Sequence, residues 1–181
     1  MTQPMPQPPQ DIEAEQALLG SLLIDPEAVL RVATFLHPED FYIRKNGRVY
    51  EAILALHERR EPVDFVTLRK ELEARGLLEE VGGAGYIARL MDAVPTAIHA
   101  EAYARIVEEM ATRRRIINFA TSAAKAAYQQ SDIDAVLREV ETGAFSLRRS
   151  SAGMPVPVAR VVNDVYDALA SACLLYTSPS P

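Results

Sequence analysis

The stretch that decides the fold is residues 98–147, IHAEAYARIVEEMATRRRIINFATSAAKAAYQQSDIDAVLREVETGAFSL. Its first part lacks glycine and proline, and side chains of one face recur three and four positions apart, which predicts a long helix. The residues of this face, here called the first seam, are Tyr103, Ile106, Met110, Arg113, Ile117, Ala120, Ala124 and Ala127. After a break at residues 129–131, a second seam consists of Ile133, Leu137, Val140, Ala144 and Leu147. Residues 98–147 are therefore predicted to form an antiparallel helical hairpin.

The two seams leave two interpretations open. In the simpler one, the two helices pack on each other through these seams. In the other, the hairpin also has an outer face that meets another chain, because a second apolar set exceeds what one partner helix can cover. That second set consists of Val107, Ile116, Phe119 and Ala123.

The part of the chain before the hairpin, residues 11–97, reads as a helical globular domain. Asp64 is expected to cap a helix that begins at Phe65, and Gly76 is expected to end it. Residues 82–85, GGAG, are expected to form a loop before the next helix. Such short helices are not stable alone and must pack into a common globule. Strand signals are nearly absent, so the fold class is all-α.

The two ends of the chain have their own composition. Residues 1–10 contain four prolines and three glutamines, which predicts a disordered or extended tail. Residues 148–157 have the composition of a flexible linker. Residues 158–170 follow as an amphipathic linker helix. After a flexible linker, such a helix either folds back on its own domain or docks in a groove on another one.

Composition and charge narrow the class of protein. The chain has 181 residues and a formal net charge of −6, which argues against a free-standing nucleic-acid binder. A single cysteine, Cys173, excludes a disulfide scaffold. No apolar run approaches the length of about 18 residues that a membrane span needs, and residues 1–10 do not resemble a secretory signal. We therefore expect a cytoplasmic soluble protein.

The residue types needed for catalysis do not occur in suitable patterns. No glycine precedes a lysine, so no phosphate loop is present, and the three histidines are far apart. We expect no catalytic, cofactor-binding or metal site in these residues. The cluster Arg113-Arg114-Arg115 is spread around its helix, which makes contact with nucleic acid a minor hypothesis.

Several stretches resemble one family in the same order along the chain. They are residues 10–29, QDIEAEQALLGSLLIDPEAV, then Phe41-Tyr42 with residues 49–53, then residues 62–78, 82–97 and 102–117. Together they resemble the N-terminal domain of replicative DNA helicases of the DnaB type, over residues 8–170 or so.

The resemblance implies an architecture and a set of partners. In that family six chains form a ring around single-stranded DNA and unwind duplex with ATP and Mg, which a RecA-like motor domain binds in the full-length protein. The N-terminal domains form a collar, a trimer of dimers paired through the hairpins, where primase docks. The linker helix packs on the motor domain of a neighbouring subunit.

The resemblance also assigns two sets of interface residues. On the hairpin, the oligomer interface consists of Ile106, Met110, Ile117, Ile133, Leu137 and Val140. On the linker helix, the docking residues are Val158, Val161, Val162, Val165 and Leu169.

Residues 171–181 depart from the family, which would continue into the motor domain at this point. Their sequence is SACLLYTSPSP. They read as a non-family, artefactual tail. The leading hypothesis is a collar fragment that serves ring assembly and primase docking, with no ATPase site of its own. The alternative is a stand-alone helical regulatory protein that binds helicase or primase.

Overall fold

A computed structural model describes residues 7–94, 99–129 and 132–147 of the protein, all within one compact unit, residues 1–150. In these ranges every regular element is a helix, so the all-α prediction is confirmed. Residues 148–181, with the predicted linker, linker helix and tail, lie outside the described residues. The α-helices are α1 Ile12–Ile24, α2 Ala28–Val32, α3 Arg44–Glu58, α4 Phe65–Ala74, α5 Leu78–Val81, α6 Gly83–Asp92, α7 Ala100–Gln129 and α8 Ile133–Leu147, with a 3₁₀ turn at Pro38–Asp40.

Helix α1 lies in the middle of the globule and packs against α6 and the first half of α7. Its side chains Leu18, Leu19 and Leu22 are completely buried. Helix α6 approaches α1 closely at Gly20, where a Cβ atom would collide with the carbonyl oxygen of Leu90. Glycine at this position is therefore required by packing and not by backbone conformation.

The local start and stop signals in α4 are confirmed. The Asp64 carboxylate accepts hydrogen bonds from the backbone N–H groups of Val66 at 2.8 Å and Thr67 at 2.9 Å. Gly76, just beyond the helix, has φ of +68°, a left-handed conformation that glycine adopts without strain.

The predicted loop at residues 82–85 is wrong in extent. Gly82 takes the left-handed turn with φ of +105°, and α6 already begins at Gly83. The helix buries Tyr86, Ile87 and Leu90 in the core. This packing stabilises a first turn that the glycine-rich sequence alone disfavours.

Helix α7 has two parts with different surroundings. In its first part, Ala100, Ala104, Val107 and Ala111 are buried where α7 packs on the globule. Beyond Ala111 the one buried residue among those described in α7 is Ala126. The second part therefore projects from the globule, and α8 packs back along it.

Candidate functional site

The hairpin packs through a face that differs from the expected one. Val136 of α8 and Ala126 of α7 are buried, and Phe119 is half-buried. A Cβ atom on Gly143 would lie 2.5 Å from Cε2 of Phe119, so the backbone of α8 closely approaches this ring. Phe119 of the second apolar set thus faces α8, whereas Val107 of that set lies in the core of the globule and Ile116 is 48% exposed. The two helices pack on each other, but not through the first seam, so the simpler interpretation is wrong in the residues that it assigns to the contact.

The seam of α7 is exposed as a result. Ile106 is 37% exposed and Ile117 50%, although both are large apolar side chains. We call the residues of α7 on this side the outer stripe: Ile106, Met110, Ile117 and Tyr128. On α8, Ile133 is 66% and Leu137 51% exposed, while Val140 is half-buried. All six residues that the resemblance assigns to the oligomer interface therefore lie on the hairpin with part of their surface accessible.

Tyr128 is 92% exposed near the tip of the hairpin, but it is not among the residues predicted from the sequence. The predicted seam continues through Ala127 instead. A helix turns by 100° per residue, so residues eleven apart lie on nearly the same face. Ile106, Ile117 and Tyr128 have this spacing, a signal that could have placed Tyr128 on the outer stripe.

Two arginines join the base of the hairpin to the globule. Arg115 Nη1 lies 2.7 Å from Asp40 Oδ1, and the side chain of Asp40 is 2% exposed. Arg114 donates to the carbonyl oxygens of Pro9, at 2.7 Å, and of Asp40. We call these contacts the arginine joint. Residues 7–10 have no regular secondary structure, and the hydrogen bond to Pro9 holds the start of the described chain at the hairpin base.

The contacts of the three adjacent arginines test the hypothesis that this cluster binds nucleic acid. Arg113, the first of the three adjacent arginines, pairs with Glu109 at 2.6 Å on its own helix. Arg114 and Arg115 turn toward the globule. The three guanidinium groups are thus occupied by protein partners, and they do not form a phosphate-binding stripe.

A buried polar network lies next to the arginine joint. Glu15 of α1 is 2% exposed, and its carboxylate accepts hydrogen bonds from the backbone N–H groups of Tyr42 and Ile43 and from Asn46 Nδ2 at 2.8 Å. The hydroxyl of Tyr86 donates to Asn46 Oδ1. Burial raises the pKa of Glu15, while these hydrogen bonds and the charge of Arg114 oppose the shift. The network fixes α1, α3 and α6 relative to one another.

The hairpin and its base offer exposed apolar contact surfaces. Among the residues that the structure describes, no group of three or more His, Cys, Asp or Glu side chains could hold a metal ion. None of the described helices is both long and apolar enough to cross a membrane. The five predicted docking residues of the linker helix lie outside the described ranges.

A helical globule that carries a projecting helical hairpin with exposed apolar side chains defines the class of the fold, an all-α domain with a hairpin extension. The chain belongs to the family described as "DnaB-like helicase N terminal domain", whose model matches residues 7–109. This finding supports the leading hypothesis from the sequence and not the stand-alone regulatory protein.

Individual relatives agree with the family. The chain is 49% identical over 135 residues to the replicative DNA helicase DnaB of Geobacillus stearothermophilus, covering 74% of this chain and 30% of that protein. The chain thus spans about 30% of the length of the curated relatives that it matches first. Its structure is similar to the N-terminal domain of DnaB helicase from Mycobacterium tuberculosis, with a TM-score of 0.74 and 40% identity over 77% of this chain and 99% of that one.

A more distant structure shares the fold. It is the N-terminal domain of DnaB helicase from Helicobacter pylori, described with its interactions with primase. The TM-score is 0.57 and the identity 23%, over 65% of this chain and 91% of that one.

Proposed function

We propose that this chain is the assembly domain of a hexameric, cytoplasmic replicative DNA helicase, and that copies pair through the outer stripe of the hairpin. The observation that carries the proposal is the exposure of Ile106 and Ile117 on a helix that already has both a globule and α8 as partners. Apolar side chains that remain exposed after a domain has folded are typical of a surface that another chain covers.

The size of the hairpin suggests how strong the pairing is. The projecting part of α7 runs from Ala111 to Gln129 and is about 27 Å long, and two adjacent helices are about 20 Å wide. Such a face offers about 500 Å² per copy, or about 1,000 Å² in total, which is at the lower end of stable interfaces. We therefore expect dimers in the micromolar range, which further contacts in a ring would strengthen.

In the whole protein, the proposed collar is a trimer of dimers within a hexamer, and primase is its proposed partner. ATP, Mg and single-stranded DNA belong to the proposed full-length ring. The six hairpin residues named above are the proposed oligomer interface. Docking of the linker helix on the motor domain of a neighbouring subunit, through Val158, Val161, Val162, Val165 and Leu169, is likewise part of the proposal.

Light scattering on the purified chain tests the proposal. The chain should form dimers or larger assemblies at high micromolar concentration, and Ile117→Asp should convert it to monomers because a charge would be buried in the contact. Leu30→Asp is the matched control, since Leu30 is 67% exposed on α2 of the globule and should leave the mass unchanged. A strict monomer at high micromolar concentration would contradict the proposed pairing.

Primase binding needs a separate measurement. Titration of a replicative primase into the wild-type assembly should give binding that Ile117→Asp weakens, because the proposed docking site requires the paired collar. Equal primase affinity for the wild type and for monomeric Ile117→Asp would contradict docking on the assembled collar.

A further inference from the structure

The first described residues of the chain, residues 7–10, lie beside the base of the hairpin, and we call them the strap. The first two are exposed, whereas Pro9 and Gln10 are half-buried, and the Oε1 atom of Gln10 is buried. The next residue, Asp11, caps the first turn of α1. The strap therefore joins α1, in the middle of the globule, to the point where the hairpin begins to project.

The guanidinium group of Arg114 binds two segments of the chain at once. Its Nη1 atom donates to the carbonyl oxygen of Pro9 at 2.7 Å, and its Nη2 atom donates to the carbonyl oxygen of Asp40. The Cζ atom lies 5.7 Å from the centre of the Tyr42 ring. A guanidinium is planar and rigid, so two acceptors on different nitrogens fix its orientation, whereas one acceptor lets it rotate about a single hydrogen bond. The position of α7 at Arg114 therefore depends on the strap as well as on the globule.

The sequence of the strap suits it to this contact. Pro8 and Pro9 are consecutive, and each ring restricts φ to about −65°. The segment therefore has few conformations to lose when it is fixed, which lowers the entropic cost of docking. Because half of the strap is exposed, it can detach without unfolding the globule, and water would then hydrate the Pro9 carbonyl oxygen.

We propose that the strap fixes the direction of the hairpin on the globule, and that detachment of the strap frees the hairpin to tilt. Arg114 is the positioning residue, because it keeps the Asp40 carbonyl oxygen but loses its second acceptor when the strap leaves. The ion pair of Arg115 with Asp40, at 2.7 Å, still holds the hairpin base, so detachment loosens the hairpin without releasing it. The inference goes beyond the proposed pairing, since it concerns contacts within one chain.

Distances between spin labels show whether Arg114 holds the strap. Labels are attached at Gln7→Cys and Lys70→Cys, two exposed positions, in a Cys173→Ser background that removes the native cysteine. Labelled chains are diluted with unlabelled ones, so that only distances within one chain are recorded. Arg114→Gln should raise the detached fraction about 10-fold or more, because the strap loses a hydrogen bond from a charged donor.

Arg113→Gln is the matched control for this variant. Arg113 is the neighbouring arginine, is 58% exposed and pairs with Glu109 on its own helix, so its loss should leave the detached fraction unchanged. Circular dichroism checks that both variants fold. A strap that stays in place in folded Arg114→Gln would overturn the inference.

Removal of the strap tests its effect on the hairpin while every helix keeps its sequence around the joint. Labels at Lys70→Cys and Lys125→Cys, both exposed, join the globule to the far part of α7, and the chain is kept below the concentration at which it pairs. Removal of residues 2–9 should broaden the distance distribution. Removal of residues 2–6 is the matched control, because it leaves the strap intact and should reproduce the full chain. If both deletions give the distribution of the full chain, the strap does not set the direction of the hairpin and the inference is wrong, whether or not the copies pair.

Discussion

Substitution of Gly20 by alanine tests the close packing of α1 against α6. A Cβ atom at this position would overlap the Leu90 carbonyl oxygen and lie 2.8 Å from Cγ2 of Val94. Overpacking of this kind costs about 1–3 kcal/mol, and the higher helix propensity of alanine offsets at most about 1 kcal/mol. The carbonyl belongs to a helix backbone and cannot rotate away as a side chain can. We therefore expect the free energy of unfolding to fall by about 2 kcal/mol.

Urea denaturation followed by circular dichroism measures this change, and Gly85→Ala is the matched control. Gly85 is also in a helix, but a Cβ atom there meets nothing within 4 Å. The control should therefore raise the free energy of unfolding by about 0.5 kcal/mol through propensity alone. If Gly20→Ala is as stabilising as Gly85→Ala, then α1 and α6 do not approach as closely as described and the reasoning is refuted.

Three further predictions concern polar groups of the globule. Burial raises the pKa of Glu15 above its ordinary value of 4.5, so its contribution to stability is complete at low pH and is lost as the pH rises through the folded-state pKa; the stability of the wild type relative to Glu15→Gln, measured in urea, should fall as the pH rises above 4.5. Asp64→Ala should cost about 1 kcal/mol by removing the cap of α4, whereas Asp64→Asn should cost much less, and equal losses in thermal denaturation would contradict the capping role. Arg115→Ala should cost about 2–3 kcal/mol, because it removes a cation from the buried carboxylate of Asp40, and an unchanged urea midpoint would show that this ion pair is not stabilising.

The helices with strong local signals could be predicted from the sequence. Asp64 and Gly76 delimit α4 through hydrogen bonds and backbone angles that depend on neighbouring residues alone. The same holds for the long helix of the hairpin, since a glycine-free and proline-free run with a regular apolar pattern leaves few alternatives.

The orientation of the hairpin faces could not be predicted, because both apolar sets of α7 have helical spacing. Choosing between them required the position of Gly143, where the missing side chain lets α8 approach Phe119. The arginine joint could not be predicted from the sequence either, since Arg115 and Asp40 are 75 residues apart and no local pattern relates them. Glu15 is a further example, because its sequence neighbours are those of an ordinary solvent-exposed helix face while its partners come from residues 42–46.

The arginine joint holds the base of the projecting part of α7, so the geometry of the joint sets the direction of that helix. The helix leaves the globule near Ala111 and extends for about 27 Å to Gln129. A tilt of about ten degrees at the joint would displace the far end sideways by about 5 Å, which is about half the diameter of a helix. Arg114 and Arg115, although they lie far from the tip, therefore determine its position, and a small change in their hydrogen bonds becomes a large sideways displacement of the tip.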